Sequence, residues 1–538
     1  MKPFFRRSVI HRQLRHFTSA YERFASVQSF TRYPHGFQVT MSLKEYCDKY
    51  KALQSKARYV HDEISLAGRI MSIRIASKKL VFMDLWNEGQ CVQILSEKQH
   101  FQEAENNGNE TFYQIHESLR RGDIIGVTGF PGKSAKGELS IIPRKLEILA
   151  PCTQPFPNDK YGIKNPDIRF RKRYLDLLVN RDIRSIFETR AKVVKAIRNF
   201  LEDRGFLEVE TPMLYSSAGG ATAEPFVTKS RALGNDLYLR IAPELFLKQL
   251  VIGGFNRVFE IGKVFRNEGI DATHNPEFTI CEFYQAYADY ETLMQTAEEM
   301  LSDIQFSSPH RLCTTILTHP ASAECDGAVE SIAIDFTPPF RRLSICPTLE
   351  KALGESLPDL ESDCATQKLL EHCRAHQIDC PRPHTVPRLL DRLIGHFIEP
   401  MCVHPTFVYN HPKCMSPLAK DHRKLEGLTE RFELFVAGKE LCNAYTELND
   451  PGIQRERFEA QLENKIQGDR EAHQMDEDFC KALEYGLPPT GGFGIGIDRL
   501  VMLITGKHHI RESILFPAMR STETEHSNAL NGEGSTPI

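Results

Sequence analysis

The chain has 538 residues, a length that exceeds one hydrophobic core and predicts two or more domains. Apolar residues make up 41% of the sequence, and no run of about 18 of them occurs, so no transmembrane helix is expected. The formal net charge of −4 excludes a uniformly basic surface for nucleic acid, so any contact with RNA must come from local patches.

The N-terminal segment is basic and almost free of acids. Residues 1–40 hold seven Lys or Arg residues and a single acid, Glu22. Apolar residues recur at helical spacing among the arginines, at Ile10, Leu14, Phe17 and Tyr21. Such a start is typical of a mitochondrial transit peptide, so we predict a mitochondrial protein. A basic RNA-binding arm on a cytoplasmic protein is the alternative, although such arms are usually rich in lysine. Met41 is a candidate second start that would give an unimported form.

Residues 41–150 are rich in short strand-like runs. These runs are EISLAGRI, KLVFMDL, CVQIL, DIIGVTGF and ELSII. A long segment, 96–120, separates the third run from the fourth, which is typical of a five-stranded OB barrel. OB folds bind single-stranded nucleic acid with aromatic rings and polar strand residues. Gln93 lies between two apolar residues and is hard to explain as structure, whereas Phe82 lies in an apolar run and is also compatible with barrel core.

The next segment leads into a long helix. Residues 151–180 are rich in proline and then basic, which predicts a linker. A helix is expected over about 183–204, and Gly205 ends it. Its apolar face consists of Ile183, Phe187, Val194, Ile197 and Leu201. The sequence GFLEVETP follows at 205–212, and its proline indicates a strand end or sheet edge at which two subunits could pair.

The stretch 257–290 contains two strand-like runs joined by a turn-rich loop. Alternate residues of a strand share one face, so the second run presents an aromatic ring, a carboxylate and a phenol in a row. These residues are Phe278, Ile280, Glu282 and Tyr284. Arg266 ends the first run, and Glu268 and His274 lie in the loop. A guanidinium for a phosphate, a ring for a base and an anion for an amine indicate a nucleotide beside a cationic substrate. A plain core would need apolar residues at positions 282 and 284.

The middle and the end of the chain carry fewer functional signals. Residues 301–345 are irregular, and helical periodicity returns in VPRLLDRLIGHFIEPM. The fourteen cysteines include no CxxC pair, which argues against a zinc ribbon or a redox motif and favours reduced thiols. His404 and His411 each precede a proline and are interpreted as loop residues rather than metal ligands. Residues 521–538 are polar and predicted to be disordered.

A second predicted hairpin consists of RFELFV, the turn AGK and ELCNAYTEL. Glu433 and Glu440 flank the turn, so both carboxylates can face one place, where hard oxygen ligands would suit Mg²⁺. Two acids beside a hairpin turn are otherwise usually solvated. Asn443, Tyr445 and Glu447 alternate onto one face. Three polar groups in register on a central strand are costly unless something pairs with them.

A glycine-rich strand and a helix start follow in GGFGIGIDRL at 491–500. The glycine spacing is GxGxG rather than the GxGxxG of a dinucleotide loop. Glycine at these positions would let the backbone approach a nucleotide closely. Arg499 lies in this segment, and the chain continues to ILFPAMR at 514–520.

Taken together, these motifs identify a family resemblance. FRNEG at 265–269 and HNPEF at 274–278 resemble motif 2 of the class II aminoacyl-tRNA synthetases, in the form of the lysyl enzymes. GFLEVETP resembles motif 1, GGFGIGIDRL resembles motif 3, and ILFPAMR is similar to a typical lysyl-enzyme ending. The resemblance covers the chain from about Ile64 to Arg520.

The resemblance implies both fold and activity. It implies an α+β protein in which an N-terminal OB-fold β-barrel precedes a class II catalytic domain at 181–520, with an antiparallel sheet flanked by helices. It implies activation of L-lysine with ATP and Mg²⁺, and transfer of lysine to tRNA(Lys), whose anticodon the OB domain reads. It also implies a homodimer that pairs through motif 1. Positioning and fixed positive charge can drive such a reaction, so no protein nucleophile is expected.

The resemblance also implies a role for each candidate residue. ATP binding is implied for Arg266, Glu268, His274, Asn275, Phe278, Glu440 and Arg499, with Arg266 and Arg499 as catalytic residues at the phosphates. Lysine binding is implied for Glu244, Arg266, Glu282, Tyr284, Asn443, Tyr445 and Glu447. Anticodon binding is implied for Arg74, Phe82, Gln93 and Glu138, and metal binding for Glu433 and Glu440.

Three alternatives are disfavoured by particular residues. An aspartyl or asparaginyl enzyme would need cations for the substrate side chain, whereas this pocket offers Glu282, Glu447 and tyrosines. A lysine-type relative that modifies an elongation factor normally lacks the OB domain. A non-catalytic RNA-binding or signalling paralogue should have lost an ATP residue, yet none is missing among Arg266, Phe278, Glu433, Glu440 and Arg499.

Overall fold

The computed structural model describes most of the chain between residues 33 and 520. The described ranges are 33–102, 112–157, 162–180, 182–217, 219–307, 315–318, 330–466, 468–469, 471–472 and 475–520. Most of the predicted transit peptide and all of the predicted disordered tail therefore lie outside the described residues. Two compact units, Met1–Gly162 and Ile163–Ile538, make up the chain. Within the described ranges, no helix is long and apolar enough to cross a membrane.

The first unit is a closed five-stranded barrel with the strand order β1-β2-β3-β5-β4. Its strands are β1 Ile64–Ser77, β2 Leu80–Asn87, β3 Gln90–Glu97, β4 Ile124–Lys133 and β5 Leu139–Ala150. Its helices are α1 Leu43–Tyr50 and α2 Phe112–Ser118, with a short 3-10 helix at Lys98–His100. The predicted OB fold is confirmed. Alternate residues of β1, such as Ile64, Leu66 and Ile70, are buried because one face of the strand is turned towards the main barrel core.

Helix α1 is fixed at both its start and its buried face. Ser42 accepts a hydrogen bond from the Glu45 amide, and the Glu45 carboxylate accepts one from the Ser42 amide at 2.7 Å, which forms a capping box. The Tyr46 hydroxyl donates to the Ser140 carbonyl at 2.8 Å. The helix therefore packs on the barrel wall next to β5.

The second unit is built on an eight-stranded mixed sheet with the order β14-β15-β16-β17-β18-β11-β10-β6. The strands of this unit are β6 Leu207–Glu208, β7 Leu214–Tyr215, β8 Val227–Lys229, β9 Asp236–Leu239, β10 Arg257–Phe265, β11 Glu277–Ala286, β12 Thr315–Thr318, β13 Glu330–Ala333, β14 Arg341–Ser344, β15 Thr406–Tyr409, β16 Arg431–Val436, β17 Lys439–Thr446 and β18 Thr490–Gly496. Its inner pairs are antiparallel, as predicted, whereas the outermost pairs β14–β15 and β6–β10 are parallel. Strands β7, β9 and β8 form a separate small sheet, and β12 pairs with β13.

Helices flank this sheet, and the main core lies between them and one sheet face. They are α3 Pro166–Arg171, α4 Arg173–Val179, α5 Ile183–Glu202, α6 Glu244–Ile252, α7 Tyr290–Ser307, α8 Ile345–Leu353, α9 Ala365–Ala375, α10 Val386–Phe397, α11 Pro451–Ile466, α12 Glu477–Leu483, α13 Ile497–Thr505 and α14 Ile510–Ser513, with 3-10 helices at Glu399–Met401 and Lys413–Met415. Helix α5 matches the helix predicted over about 183–204, and Gly205 follows it with a φ of 76°. The apolar face of α5 packs with Phe283 of β11 and Phe493 of β18 in one cluster.

The segment predicted as a linker contains part of the second unit. Helices α3 and α4 lie within residues 163–180, and Arg173 is buried between them and the C-terminal segment. Its guanidinium donates to Asp176 at 2.7 Å and to the carbonyls of Arg511 and Ile514 at 2.7 and 2.9 Å. These bonds join the start of the unit to its end.

The segment 301–345, for which no function was predicted, is only partly described. It begins with the last turns of α7 and ends with β14, which forms an edge of the main sheet. Strands β12 and β13 form an antiparallel pair between them.

Candidate active site

A cleft of about 320 Å³ opens on the sheet face of β11, β17 and β18. Loop residues 220–222 and 415–419 complete its walls. Nearly all the predicted ATP, lysine and metal residues line it: Glu244, Arg266, Glu268, His274, Asn275, Phe278, Glu282, Tyr284, Glu433, Glu440, Asn443, Tyr445 and Arg499. Glu447 is the exception, because it is almost fully buried and does not line the cleft. The two predicted hairpins, β10–β11 and β16–β17, are thus brought together as expected.

Strand β18 joins the two hairpins and supplies the floor of the cleft. Gly492 lies between Tyr284 and Tyr445, and Gly494 lies between Glu282 and Asn443 in the register of the three strands. The intervening residues of β18, such as Phe493, point into the apolar core. Strand alternation therefore places only glycines between the two rows of polar side chains.

Gly492 has a specific steric reason to be glycine. A Cβ atom at this position would collide with the Glu447 carboxylate and the Tyr284 ring. Glu447 Oε1 thus occupies the space that a side chain at 492 would take, on the same sheet face as Tyr284 and Tyr445. The motif 3 glycines were predicted to make room for a nucleotide, and Gly492 makes room instead for two side chains of the chain itself.

An ammonium group of the protein lies beside the inner end of the cleft. Lys248 of α6 is 0% exposed, and its Nζ lies 2.7 Å from Glu244 Oε1 and 2.5 Å from Glu447 Oε2. The Tyr445 hydroxyl donates to the other oxygen of Glu244 at 2.6 Å. Lys248 was not predicted from the sequence. One sequence pattern could have indicated Lys248: it lies four residues after Glu244 in the largely apolar helix sequence ELFLKQLVI. That spacing allows an ion pair on one helix face.

Burial changes the titration of the inner carboxylates. Burial, reinforced by the negative charge of Glu244, raises the pKa of Glu282 to about 8, although Arg266 opposes the shift. Burial also raises the pKa of Glu447, against the lowering effect of Lys248. Burial alone would lower the Lys248 pKa, but the two carboxylates that contact it raise the pKa above its ordinary value. Lys248 is therefore charged, and burial disfavours ionisation of Glu282 and Glu447 at the same time.

The outer end of the cleft carries two arginines. The Arg266 guanidinium lies over the Phe278 ring, 5.2 Å from its centroid, and its Nε donates to the Ile241 carbonyl at 3.4 Å. Arg499 donates to the Glu440 carbonyl at 2.7 Å and to its carboxylate at 3.1 Å, and it lies 3.2 Å from His274 Nε2. Arg266 therefore supplies the guanidinium that lies over the Phe278 ring, whereas Arg499 is hydrogen-bonded to Glu440 of the β16–β17 hairpin.

The two predicted metal ligands have the chemistry that Mg²⁺ requires. Burial would raise the Glu433 pKa, but Arg431, 2.6 Å away, and His411, 3.5 Å away, lower it to about 2. Glu433 is therefore ionised at neutral pH, and the Glu440 side chain is 40% exposed. Across the described ranges, no group of three or more His, Cys, Asp or Glu side chains could hold a metal ion by itself. Two carboxylates still fit Mg²⁺, which usually completes its shell with phosphate oxygens and water.

Two further residues organise the cleft and were not predicted. Arg431 donates to Asn443 Oδ1 at 3.1 Å and to the Met415 carbonyl at 2.7 Å, so it links β17 to the loop that covers the cleft. Its signal was its place on β16, two residues before Glu433 and on the same face. Asp498 accepts from the Thr279 amide of β11 at 2.6 Å, and nothing in its sequence context indicated that contact.

Three of the predicted anticodon residues, Arg74, Phe82 and Gln93, lie on neighbouring strands of the barrel, and Glu138 directly precedes β5. The Arg74 guanidinium lies 6.0 Å from the Phe82 ring centroid, and Gln93 donates to Glu138 at 2.6 Å. Asp84 lies between the two pairs, because it accepts from Arg74 at 3.3 Å and is the cross-strand neighbour of Gln93. Phe82 is half-buried against a small apolar cluster, so part of its ring remains on the surface.

Similarities to known proteins agree with both units. Residues 165–520 match the family of tRNA synthetases class II (D, K and N), and residues 64–149 match the OB-fold nucleic acid binding domain. The lysine–tRNA ligase cla4 of Cladosporium cladosporioides is 47% identical over 501 residues, 92% of this chain and 82% of that protein. A probable cytoplasmic lysine–tRNA ligase of Encephalitozoon cuniculi is 48% identical over 494 residues, 91% of this chain and 93% of that protein. The lysine–tRNA ligase of Moorella thermoacetica is 41% identical over 492 residues, 91% of this chain and 94% of that protein.

Proposed function

The chain belongs to the class II tRNA synthetases and is a lysine–tRNA ligase, and we propose a role in lysine activation for each candidate residue of its cleft. The resemblance drawn from the sequence motifs is thereby confirmed. One observation carries the assignment of roles: two polar hairpins meet across a glycine strand, with the buried carboxylates Glu244 and Glu282 at the inner end and Arg266 and Arg499 at the outer end. That gradient of charge suits a substrate with ammonium groups beside a polyphosphate.

The first reaction joins two anions. A carboxylate oxygen of lysine bonds to the α-phosphorus of ATP, the bond from that phosphorus to the bridging oxygen breaks, and diphosphate leaves. Arg266 binds the α-phosphate and the lysine carboxylate together, and Arg499 binds the γ-phosphate. Glu433 and Glu440 would hold Mg²⁺, which would supply positive charge at the phosphate oxygens. Fixed cations and orientation are sufficient for this step, because no protein bond is formed.

The nucleotide base is proposed to stack on Phe278. Guanidinium or aromatic stacking on a base is worth about 1–3 kcal/mol. Arg266 now lies on one face of the ring, so adenine takes the opposite face or displaces the guanidinium. Glu268, His274 and Asn275 contact the nucleotide from the loop. The buried Asn275 Oδ1 has no hydrogen-bond partner, which leaves an acceptor for an amino group.

The amino acid is proposed to lie with its side chain at the inner end. Glu244 binds the α-amine, Asn443 binds the carboxylate with Arg266, and Tyr445 lines the pocket. Glu447 and Tyr284 bind the ε-ammonium, with Glu282 beside them. Neutral amino acids are excluded because they would leave buried carboxylates unpaired, whereas ornithine, one methylene shorter, loses only about 1–3 kcal/mol.

The second step transfers lysine to tRNA. A hydroxyl of the terminal ribose attacks the lysyl carbonyl carbon, and AMP leaves. The barrel selects the tRNA: Phe82 stacks on an anticodon base, and Arg74, Gln93 and Glu138 bind the edges of uridines. This proposal rests on the exposed part of the Phe82 ring and on the polar groups of neighbouring strands.

Two assays test these roles separately. Lysine-dependent exchange of diphosphate into ATP should occur without tRNA, and Glu447→Ala should abolish it. Charging of tRNA with a UUU or CUU anticodon should require Gln93 and Phe82. Exchange at the wild-type level in the Glu447 variant would contradict the pocket assignment.

We also propose a homodimer that pairs through the motif 1 edge. Strand β6 is an edge of the main sheet, and apolar side chains are exposed around it and on the neighbouring small sheet. They include Leu207, Leu214 and Phe255. Equilibrium sedimentation should give twice the chain mass of 61.4 kDa. Leu207→Asp should shift the measured mass towards that of the monomer. A wild-type mass of one chain would exclude the dimer.

Mitochondrial import remains our proposal for the N-terminal segment. It is supported by the seven basic residues and the single acid in residues 1–40. The Encephalitozoon cuniculi relative is named as cytoplasmic, so the compartment needs a direct measurement. Residues 1–40 fused to a fluorescent protein should accumulate in mitochondria, and diffuse cytoplasmic fluorescence would favour the RNA-binding arm.

A further inference from the structure

Lys248 is a buried cation that the proposed reaction does not use. It is fully enclosed, and its Nζ lies within 2.7 Å of both Glu244 and Glu447. The rings of Phe479 and Tyr445 lie 5.4 and 5.8 Å from the same nitrogen. Both carboxylates that Lys248 contacts are assigned to the substrate, one to each ammonium group of lysine.

The charges at the inner end match the substrate only when Lys248 is counted. Glu244, Glu282 and Glu447 are all buried there, and Lys248 is the ammonium that contacts two of them. When two bound ammonium groups favour ionisation of all three carboxylates, these carboxylates and the one ammonium of Lys248 leave two negative charges. Free lysine carries two ammonium groups, while its carboxylate faces Arg266 at the other end of the proposed pocket. A buried charge without a partner is strongly disfavoured, so this match matters more here than it would in water.

Lys248 also fixes the orientation of Glu447. One oxygen of that carboxylate contacts Lys248, and the other, Oε1, has no hydrogen-bond partner and occupies the space beside Gly492. An unpartnered carboxylate oxygen in a buried position indicates that a ligand completes its bonding. Lys248 contacts the far side of the carboxylate and leaves the near side for that ligand.

We propose that Lys248 is a positioning residue for lysine recognition, which holds Glu244 and Glu447 in place and sets the pocket at two negative charges for a substrate with two ammonium groups. This inference rests on the proposed lysine-binding roles of Glu244 and Glu447. It assigns Lys248 no contact with ATP and no part in the bonds that form or break.

Lys248→Met is the direct test, because methionine is similar in length and lacks the charge. The two carboxylates would then take up protons or turn away. We expect the KM for lysine in diphosphate exchange to rise at least tenfold, while the KM for ATP stays within twofold. Equal changes in both KM values, or no change in either, would overturn the proposal.

A matched control separates positioning from simple loss of a buried ion pair. Arg173 forms a comparably buried pair with Asp176, but neither residue lines the cleft. Arg173→Met should lower the melting temperature and leave the KM for lysine unchanged. Should it raise the KM for lysine as much as Lys248→Met does, a specific role for Lys248 would be refuted.

Two further variants complete the test. Lys248→Arg keeps the charge and should hold the KM for lysine within threefold; it carries the test if the methionine variant does not fold. A tenfold rise with the charge retained would overturn the proposal. Glu447→Gln distinguishes failure of the pocket assignment from failure of the role proposed for Lys248. If it leaves the KM for lysine unchanged, the pocket assignment itself fails; if it raises that KM and Lys248→Met does not, only the role of Lys248 fails.

Discussion

Glu282 gives the cleft a titration near neutral pH. The groups that face it are Glu244, Arg266, Tyr284 and Glu260, and burial is the main reason that its pKa rises to about 8. Below that pH the side chain is a neutral acid, which binds an ammonium poorly. Affinity for lysine should therefore increase from pH 6 to pH 8, by up to about tenfold per pH unit.

Calorimetric titration of lysine across this pH range would measure the effect, and Glu282→Gln should flatten it. A flat profile in the wild type would show that Glu282 is ionised throughout. The raised pKa also means that the ligand-free folded state binds more protons than the unfolded state. Its stability should therefore fall as pH rises from the ordinary carboxyl range towards 8, and bound lysine should offset that loss.

The close packing around Gly492 predicts that even an alanine at this position would disturb the cleft. Gly492→Ala would drive a methyl group into the Glu447 carboxylate and the Tyr284 ring. Lysine-dependent exchange should fall at least a hundredfold, because both groups must move. Gly395→Ala in α10 is the control, since its new Cβ would meet no atom closer than 3.5 Å. Near-normal exchange in the Gly492 variant would show that the carboxylate has room to retreat.

At the scale of elements, the strands of the cleft were the part most open to prediction. Period-two alternation in β11 and β17 placed Glu282, Tyr284, Asn443 and Tyr445 on one face, because a strand has only two faces. The ion pair between Lys248 and Glu447 could not be predicted from the sequence. It depends on how helix α6, which packs on β10 and β11, approaches the residue that follows β17, and sequence spacing carries no information about that. The linker prediction is a similar case, since Arg173 meets the C-terminal carbonyls only after the whole unit has folded.

Helices α3 and α4 should contribute to stability rather than to chemistry. Arg173→Met leaves Asp176 buried without this partner and the carbonyls of 511 and 514 without a donor. Breaking a buried ion pair costs about 3–5 kcal/mol. The thermal transition of the second unit should move to lower temperature by several degrees, as measured by calorimetry, with exchange activity intact at low temperature. An unchanged transition would mean that water replaces the lost bonds.

At the scale of the molecule, the barrel and the mixed sheet have separate cores, and their proposed tasks are also separate. Gln93→Ala removes the hydrogen bonds that the buried Gln93 amide makes with Glu138 and Ser140 within the barrel. Charging of tRNA(Lys) should lose about tenfold in kcat/KM, corresponding to about 1.4 kcal/mol, while lysine-dependent exchange stays unchanged. A loss of exchange would imply that the substitution disturbs more than the barrel.

The gap at Gly492 has a consequence for redesign. The acid proposed to bind the ε-ammonium fills the space beside Gly492 on the cleft face, and Lys248, which does not line the cleft, contacts it from the protein interior. A variant meant to accept an amino acid with a shorter or longer side chain should therefore be sought by altering position 248 together with position 447. Substitutions limited to the residues that line the cleft would leave this carboxylate where it is.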